Sequence, residues 1–146
     1  MILEANRSKL RTKSSPYFRW RDIMIRVYTA PGSRSGRMVV SWLKENNLSF
    51  IEKNIFSSDL HTSEIREILE RCENGTDDII SKNSKIIKAS KIDFNNMKME
   101  DLINFIKNNP SILKRPIVMD EHHFLVGYNV EEIRIFIPRN QRRKKK

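Results

Sequence analysis

Between residues 25 and 54 the hydrophobic period of the chain switches from two to 3.6 and back, and this constrains the fold more than any other feature. Ile25-Arg26-Val27-Tyr28-Thr29 is β-rich and alternating, and so reads as a strand. Ala30-Pro31-Gly32-Ser33 is a turn. Across 34–46, apolar Met38, Val39, Trp42 and Leu43 recur at helical spacing behind Ser33, a good N-cap, and Asn46-Asn47 closes the helix. Residues 49–54 are a second strand, with Phe50 and Ile51 at its centre. A strand, a helix and a strand in about 30 residues form a β-α-β unit, and its strands are expected to be parallel with a right-handed crossover.

The remainder builds on that unit. Residues 63–73 read as a helix with Ile65, Ile68 and Leu69 on one face, Ser63 as N-cap and Asn74-Gly75 as the stop. A short capped segment over 77–81 and helices over 84–89 and 98–108 follow, the last with Leu102, Ile103 and Ile106 as its stripe and Asn109-Pro110 as its end. Residues 117–120 and 124–126 read as an antiparallel hairpin, and 130–137 as a final helix ended by Pro138. The order is β-α-β, then helices, then β-β-α, with no internal repeat. That is the element order of a thioredoxin-like fold carrying a helical insertion. The expected class is therefore α/β, with a four-stranded mixed sheet.

Charge divides the chain into three parts. Residues 1–23 are a basic extension containing Ser14-Ser15-Pro16, and Met24, just before the first strand, is a possible alternative start. Residues 139–146 hold six basic groups and no acid. Residues 23–138 hold 16 basic and 16 acidic groups, so the +10 net charge sits at the two ends of a neutral body, taken as one domain over 24–138. Arg142, Arg143, Lys144, Lys145 and Lys146 are candidate phosphate contacts, or else a solvated tail. No apolar run approaches the ~18 residues of a membrane span, and no secretory h-region follows the basic start. The single cysteine, Cys72, excludes an internal disulfide and reads as a small buried hydrophobe. His61, His122 and His123 lack metal-ligand spacing, so neither metal nor cofactor is expected.

Five blocks stand in order at compatible spacing: Tyr28-Thr29-Ala30-Pro31-Gly32-Ser33, Asn54-Ile55-Phe56, residues 73–80 (Glu-Asn-Gly-Thr-Asp-Asp-Ile-Ile), Leu113-Lys114-Arg115-Pro116-Ile117 and Val126-Gly127-Tyr128-Asn129. Together they resemble the Spx regulators of Gram-positive bacteria, in the arsenate-reductase-like branch of the thioredoxin fold. The resemblance covers about residues 24–138. It implies a cytoplasmic, monomeric regulator of transcription in the stress response, which binds the C-terminal domain of the RNA polymerase α subunit and meets promoter DNA only within the polymerase complex. The family position most tied to that contact falls on Gly75; read alone, Gly75 is equally a helix C-cap. The resemblance also implies a cis peptide bond before Pro116, with Arg115 directed toward Ser33 and Arg34.

The resemblance breaks at the redox switch. The family's CxxC positions hold Ser33 and Gly36. A thiolate at a helix N-terminus is stabilised by the helix dipole, whereas a serine there stays un-ionised and caps the helix. A redox-insensitive regulator without enzymatic activity is the reading that follows, with Gly75, Ser33 and Arg115 as partner-binding residues. Arsenate reduction would need a thiol at Ser33, and no clear histidine base serves that hydroxyl. The loop over 32–37 offers donors and two arginines to an anion but lacks the lysine pattern of a P-loop. The chain also ends in lysines rather than the apolar tail by which ClpXP recognises Spx-type proteins. Three alternatives stay open: a competitor of CxxC-bearing relatives, a reductase-like remnant, and direct DNA binding through the basic ends.

Overall fold

The computed structural model describes residues 24–58 and 60–138. The basic extension and the run from Arg142 to Lys146 lie outside the described residues. The β-α-β unit is present as β1 (Ile25–Thr29), α1 (Arg34–Glu45) and β2 (Phe50–Asn54). Then come α2 (Thr62–Arg71), α3 (Lys85–Ser90), α4 (Met99–Asn108), β3 (Ile117–Met119) and β4 (Phe124–Val126). Short 3₁₀ turns stand at Thr76–Asp78, Phe94–Asn96, Pro110–Ile112 and Glu132–Phe136.

The sheet order is β2-β1-β3-β4. β1 runs parallel to β2, with Thr29 opposite Asn54, and antiparallel to β3, with Tyr28 opposite Ile117. β3 and β4 close the sheet as a hairpin. β1 is buried at all five residues because it has a strand on each side and a helical layer on each face. Its alternation decides which layer each residue meets. Ile25 and Val27 join Val39 and Leu43 of α1, Val118, Leu125, Ile133 and Phe136 in one core. Tyr28 joins Ile65, Ile68, Leu102, Ile106, Ile117 and Met119 in the other, under α2 and α4.

Several expectations are corrected. Residues 130–137 do not form an α-helix; a 3₁₀ turn at Glu132–Phe136 stands there. Asn129 takes the amides of Glu131 and Glu132 on its side chain, and Pro138 ends the segment. The amides of Arg134 and Ile137 bond three residues back, to Glu131 O and Arg134 O, which is the tighter 3₁₀ pattern. α2 starts at Thr62 rather than beyond Ser63, because the Glu64 carboxylate turns back to accept from the His61 amide. It ends at Arg71 with Cys72 as C-cap, so Gly75 is not its stop. Met38, placed on the apolar stripe, is 42% exposed, whereas Val39 and Leu43 are fully buried. No helix among the described residues is long and apolar enough to cross a membrane.

Candidate functional site

The parallel pair β1 and β2 ends at Thr29 and Asn54, and the segment entering β3 arrives at the same end of the sheet. Three of the residues singled out from the sequence sit around that end. Ser33 is the N-cap of α1, and its Oγ accepts from Gly36 N at 3.0 Å. With that bond made, the hydroxyl closes the first turn, as a serine at this position should. Gly36 is buried because α1 packs directly on β1; a Cβ here would collide with Thr29 Oγ1, itself buried without a hydrogen-bond partner. Position 36 takes a side chain only if Thr29 turns its hydroxyl away.

Arg115-Pro116 is cis. Among the described residues Arg115 and Ser33 share no hydrogen bond. Its guanidinium donates to Ser111 O at 3.0 Å and lies 5.7 Å from the ring centroid of Phe56, an aromatic that is 50% exposed. This is a cation–π contact at a solvent-facing edge.

Gly75 begins the 3₁₀ turn Thr76–Asp78, at φ +86° and ψ −165°. That combination is nearly confined to glycine. Nothing lies within 4 Å of the place where its Cβ would be, so the demand comes from the backbone and not from crowding. The Asp78 carboxylate organises the approach, accepting from the amides of Glu73 and Asn74, both at 3.0 Å. The turn is then fastened to the segment entering β3. Ile80 bridges Leu113, Lys114 N donates to Ile79 O at 2.7 Å, and Lys114 Nζ donates to Asp77 O at 2.8 Å.

These attachments make one face. An open groove of about 600 Å³ is lined by Asp77, Asp78, Lys114, Arg115 and Gly127. A second, of about 390 Å³, is lined by Arg34, Arg37, Met38, Trp42 and Tyr128. They adjoin at Gly127-Tyr128, whose Gly127 N donates to Pro116 O at 2.7 Å. The structure thus brings Arg115 to a groove lined by Asp77 and Asp78 of the turn that Gly75 begins, and the first turns of α1 to its neighbour, while Gly75 and Ser33 are not themselves among the lining residues. Asp77, Asp78, Lys114, Phe56 and Tyr128 were not singled out from sequence as site residues. The signal available was that each lies in or beside one of the five blocks.

The remaining titratable groups do structural work. Cys72 packs against the core, with Sγ 3.5 Å from Ile68 O, and burial, with the negative charge of Asp78, pushes its thiol up to about 11. It stays protonated and unreactive at ordinary pH. His122 and His123 occupy the β3–β4 turn, at the opposite end of the sheet from Ser33. Among the described residues no group of three or more histidines, cysteines or acids is placed to hold a metal ion.

A four-stranded mixed sheet of order β2-β1-β3-β4 with helices packed on it defines an arsenate-reductase-like protein of the thioredoxin type. The ArsC family profile matches residues 10–136, and the chain belongs to that family, within its Spx group. It is 45% identical over 119 residues to the global transcriptional regulator Spx 1 of Oceanobacillus iheyensis, covering 82% of this chain and 91% of that one. It is 43% identical over the same length to the global transcriptional regulator Spx of Bacillus subtilis, with the same coverage. Among solved structures it resembles an arsenate reductase from Vibrio cholerae at a TM-score of 0.68 and 13% identity, covering 79% of this chain and 98% of that one. A possible arsenate reductase from Streptococcus mutans aligns at a TM-score of 0.62 and 18% identity, covering 73% and 92%. At such identities the structural likeness concerns the fold alone.

Proposed function

We propose that this protein regulates transcription from the cytoplasm by binding the C-terminal domain of the RNA polymerase α subunit, and that thiol oxidation does not control it. The observation that carries the reading is the face joining the Gly75 turn, Arg115, Gly127-Tyr128 and the start of α1, on a chain whose relatives are named global transcriptional regulators. Gly75 offers bare backbone at an exposed turn, which lets a partner main chain approach closely. Acidic Asp77 and Asp78 and basic Lys114 and Arg115 line the groove beside that turn, and Arg34 and Arg37 line the second groove, giving the mixed polar rim that sets register and on-rate in such contacts.

Two features support redox independence and the absence of enzymatic turnover. The chain holds one cysteine, which is half-buried, held protonated and on α2's C-cap rather than at the start of α1. Ser33 spends its hydroxyl on the helix cap, and among the described residues no histidine is hydrogen-bonded to it. A serine nucleophile requires such a base.

The test is binding of the full chain to purified α C-terminal domain, with and without reductant. A micromolar or tighter complex is expected, equal under both conditions. Gly75→Arg should abolish it. Because that substitution also strains the backbone by roughly 1–3 kcal/mol, a melting curve accompanies it, and Asp77→Lys reverses a charge on the same face without strain. Failure of the wild-type chain to bind, or binding that depends on reductant, overturns the reading.

A further inference from the structure

We propose that Asn74-Gly75 is a self-modifying site: the Asn74 side chain deamidates spontaneously in the folded protein and so alters the face around Gly75. The site's effect on a partner rests on the function proposed above; its chemistry does not.

The reaction needs only water. Gly75 N loses its proton and adds to Asn74 Cγ. The Cγ–Nδ2 bond breaks and ammonia leaves with that proton, giving a cyclic imide. Water then opens the ring at either carbonyl, leaving aspartate, or isoaspartate with an extra methylene in the main chain. Three conditions favour the first step. The nucleophilic nitrogen must be free of a hydrogen bond, the side-chain amide must be free to turn, and the following residue must not obstruct the attack. Asn74 and Gly75 are both exposed, glycine has no Cβ, and nothing lies within 4 Å of the place where one would be.

The hydrogen bonding isolates this pair from every other asparagine among the described residues. Among the described residues Gly75 N has no acceptor and the Asn74 side chain no partner; the Asn74 main-chain amide is held by Asp78. Elsewhere the nitrogen after the asparagine is engaged. Ser84 N donates to Ser81 O, Asn96 N to Asp93 O, and Ile55 N to Thr29 O. Asn109 is followed by proline, which has no N–H, and the Asn129 side-chain carbonyl already accepts from two amides. The product would set a new carboxylate among Glu73, Asp77 and Asp78, directly before the glycine that turns the chain. Like charges this close repel one another and any acidic partner surface.

Peptide mapping by mass spectrometry tests the site. The full chain is held folded at mildly alkaline pH and sampled over days. Loss of the amide at Asn74 is expected in most chains while Asn83 and Asn95 keep theirs, faster as pH rises, and absent in Asn74→Gln. An intact Asn74, or one lost no faster than Asn83, overturns the proposal. Binding to the α C-terminal domain is then compared between fresh and aged samples. Weakened binding by aged wild type but not by aged Asn74→Gln places the change on the partner face, and equal binding overturns that placement. If even fresh protein fails to bind, the functional reading falls and the mass result still decides the chemistry.

Discussion

Gly36 and Thr29 are joined by a contact that leaves no room for a Cβ. Substituting alanine at 36 in an α-helix interior would normally gain up to about 1 kcal/mol of helix propensity. Here the new methyl meets Thr29, on a strand buried throughout, and overpacking of that kind costs about 1–3 kcal/mol. Gly36→Ala should therefore lower stability by about 1 kcal/mol. In the Thr29→Ala background the same change should be neutral or stabilising. A denaturant double-mutant cycle reads this coupling, and additivity would show that the contact is relieved at no cost. Cys72 gives a second expectation at this scale. Its thiol titrates near 9 when unfolded and near 11 when folded. The folded state thus holds the proton more tightly, so stability is lost as pH rises from about 9 to about 11. Alkylation of native protein by iodoacetamide should likewise keep accelerating toward pH 11 rather than level off near 9.

α2 is tied to β1 by charge as well as by its apolar face. Arg26, 1% exposed, makes two hydrogen bonds to the Glu67 carboxylate, at 2.8 and 2.9 Å. Tyr28 donates to Glu64 at 2.8 Å, and Lys53 reaches the same carboxylate at 3.0 Å. Burial alone would raise the Glu64 carboxyl. Hydrogen bonds from Lys53, Tyr28 and the His61 amide outweigh it and hold the group below the ordinary carboxylate range. Its contribution is present above the unfolded carboxylate pKa and is lost as pH falls through the lower folded value. Glu64→Gln should flatten that acid limb in a pH series of melts. Glu67→Ala should cost about 2 kcal/mol by leaving a buried guanidinium without its carboxylate, and Arg26→Met, Glu67→Met should recover much of that loss. None of this network was legible from the sequence, where 25–29 read only as an alternating strand. Arg26 and Glu67 are 41 positions apart, and local periodicity carries no information about such a pair. What local patterns could specify is what the structure keeps: β1 and its partners, the α1 cap at Ser33, the α4 stripe. They failed at 130–137, where the apolar spacing is helical but the amides of Arg134 and Ile137 bond three residues back rather than four, and at Met38. The contact of Arg115 with Phe56 was not legible either, because the two residues are far apart in sequence and only the fold brings them together.

Across the whole molecule the charge is unevenly shared: 23–138 is neutral, and 139–146 contributes six basic groups. Removing 139–146 should therefore weaken non-specific DNA binding and reduce its log–log salt slope by up to about 5, while leaving affinity for the α C-terminal domain unchanged. A slope that does not move would show that the tail stays clear of phosphate. The sheet order has a separate consequence. Among the described residues the open sheet ends in β2 on one side and β4 on the other, and each edge is poorly suited to recruit another chain. β2 exposes the charged Glu52, and β4 is only three residues long. Charge and brevity are the ordinary defences against edge-to-edge pairing. For the redox-independent regulator proposed above, abundance is the control, and guarded edges suit a protein whose concentration must rise steeply without edge-to-edge pairing.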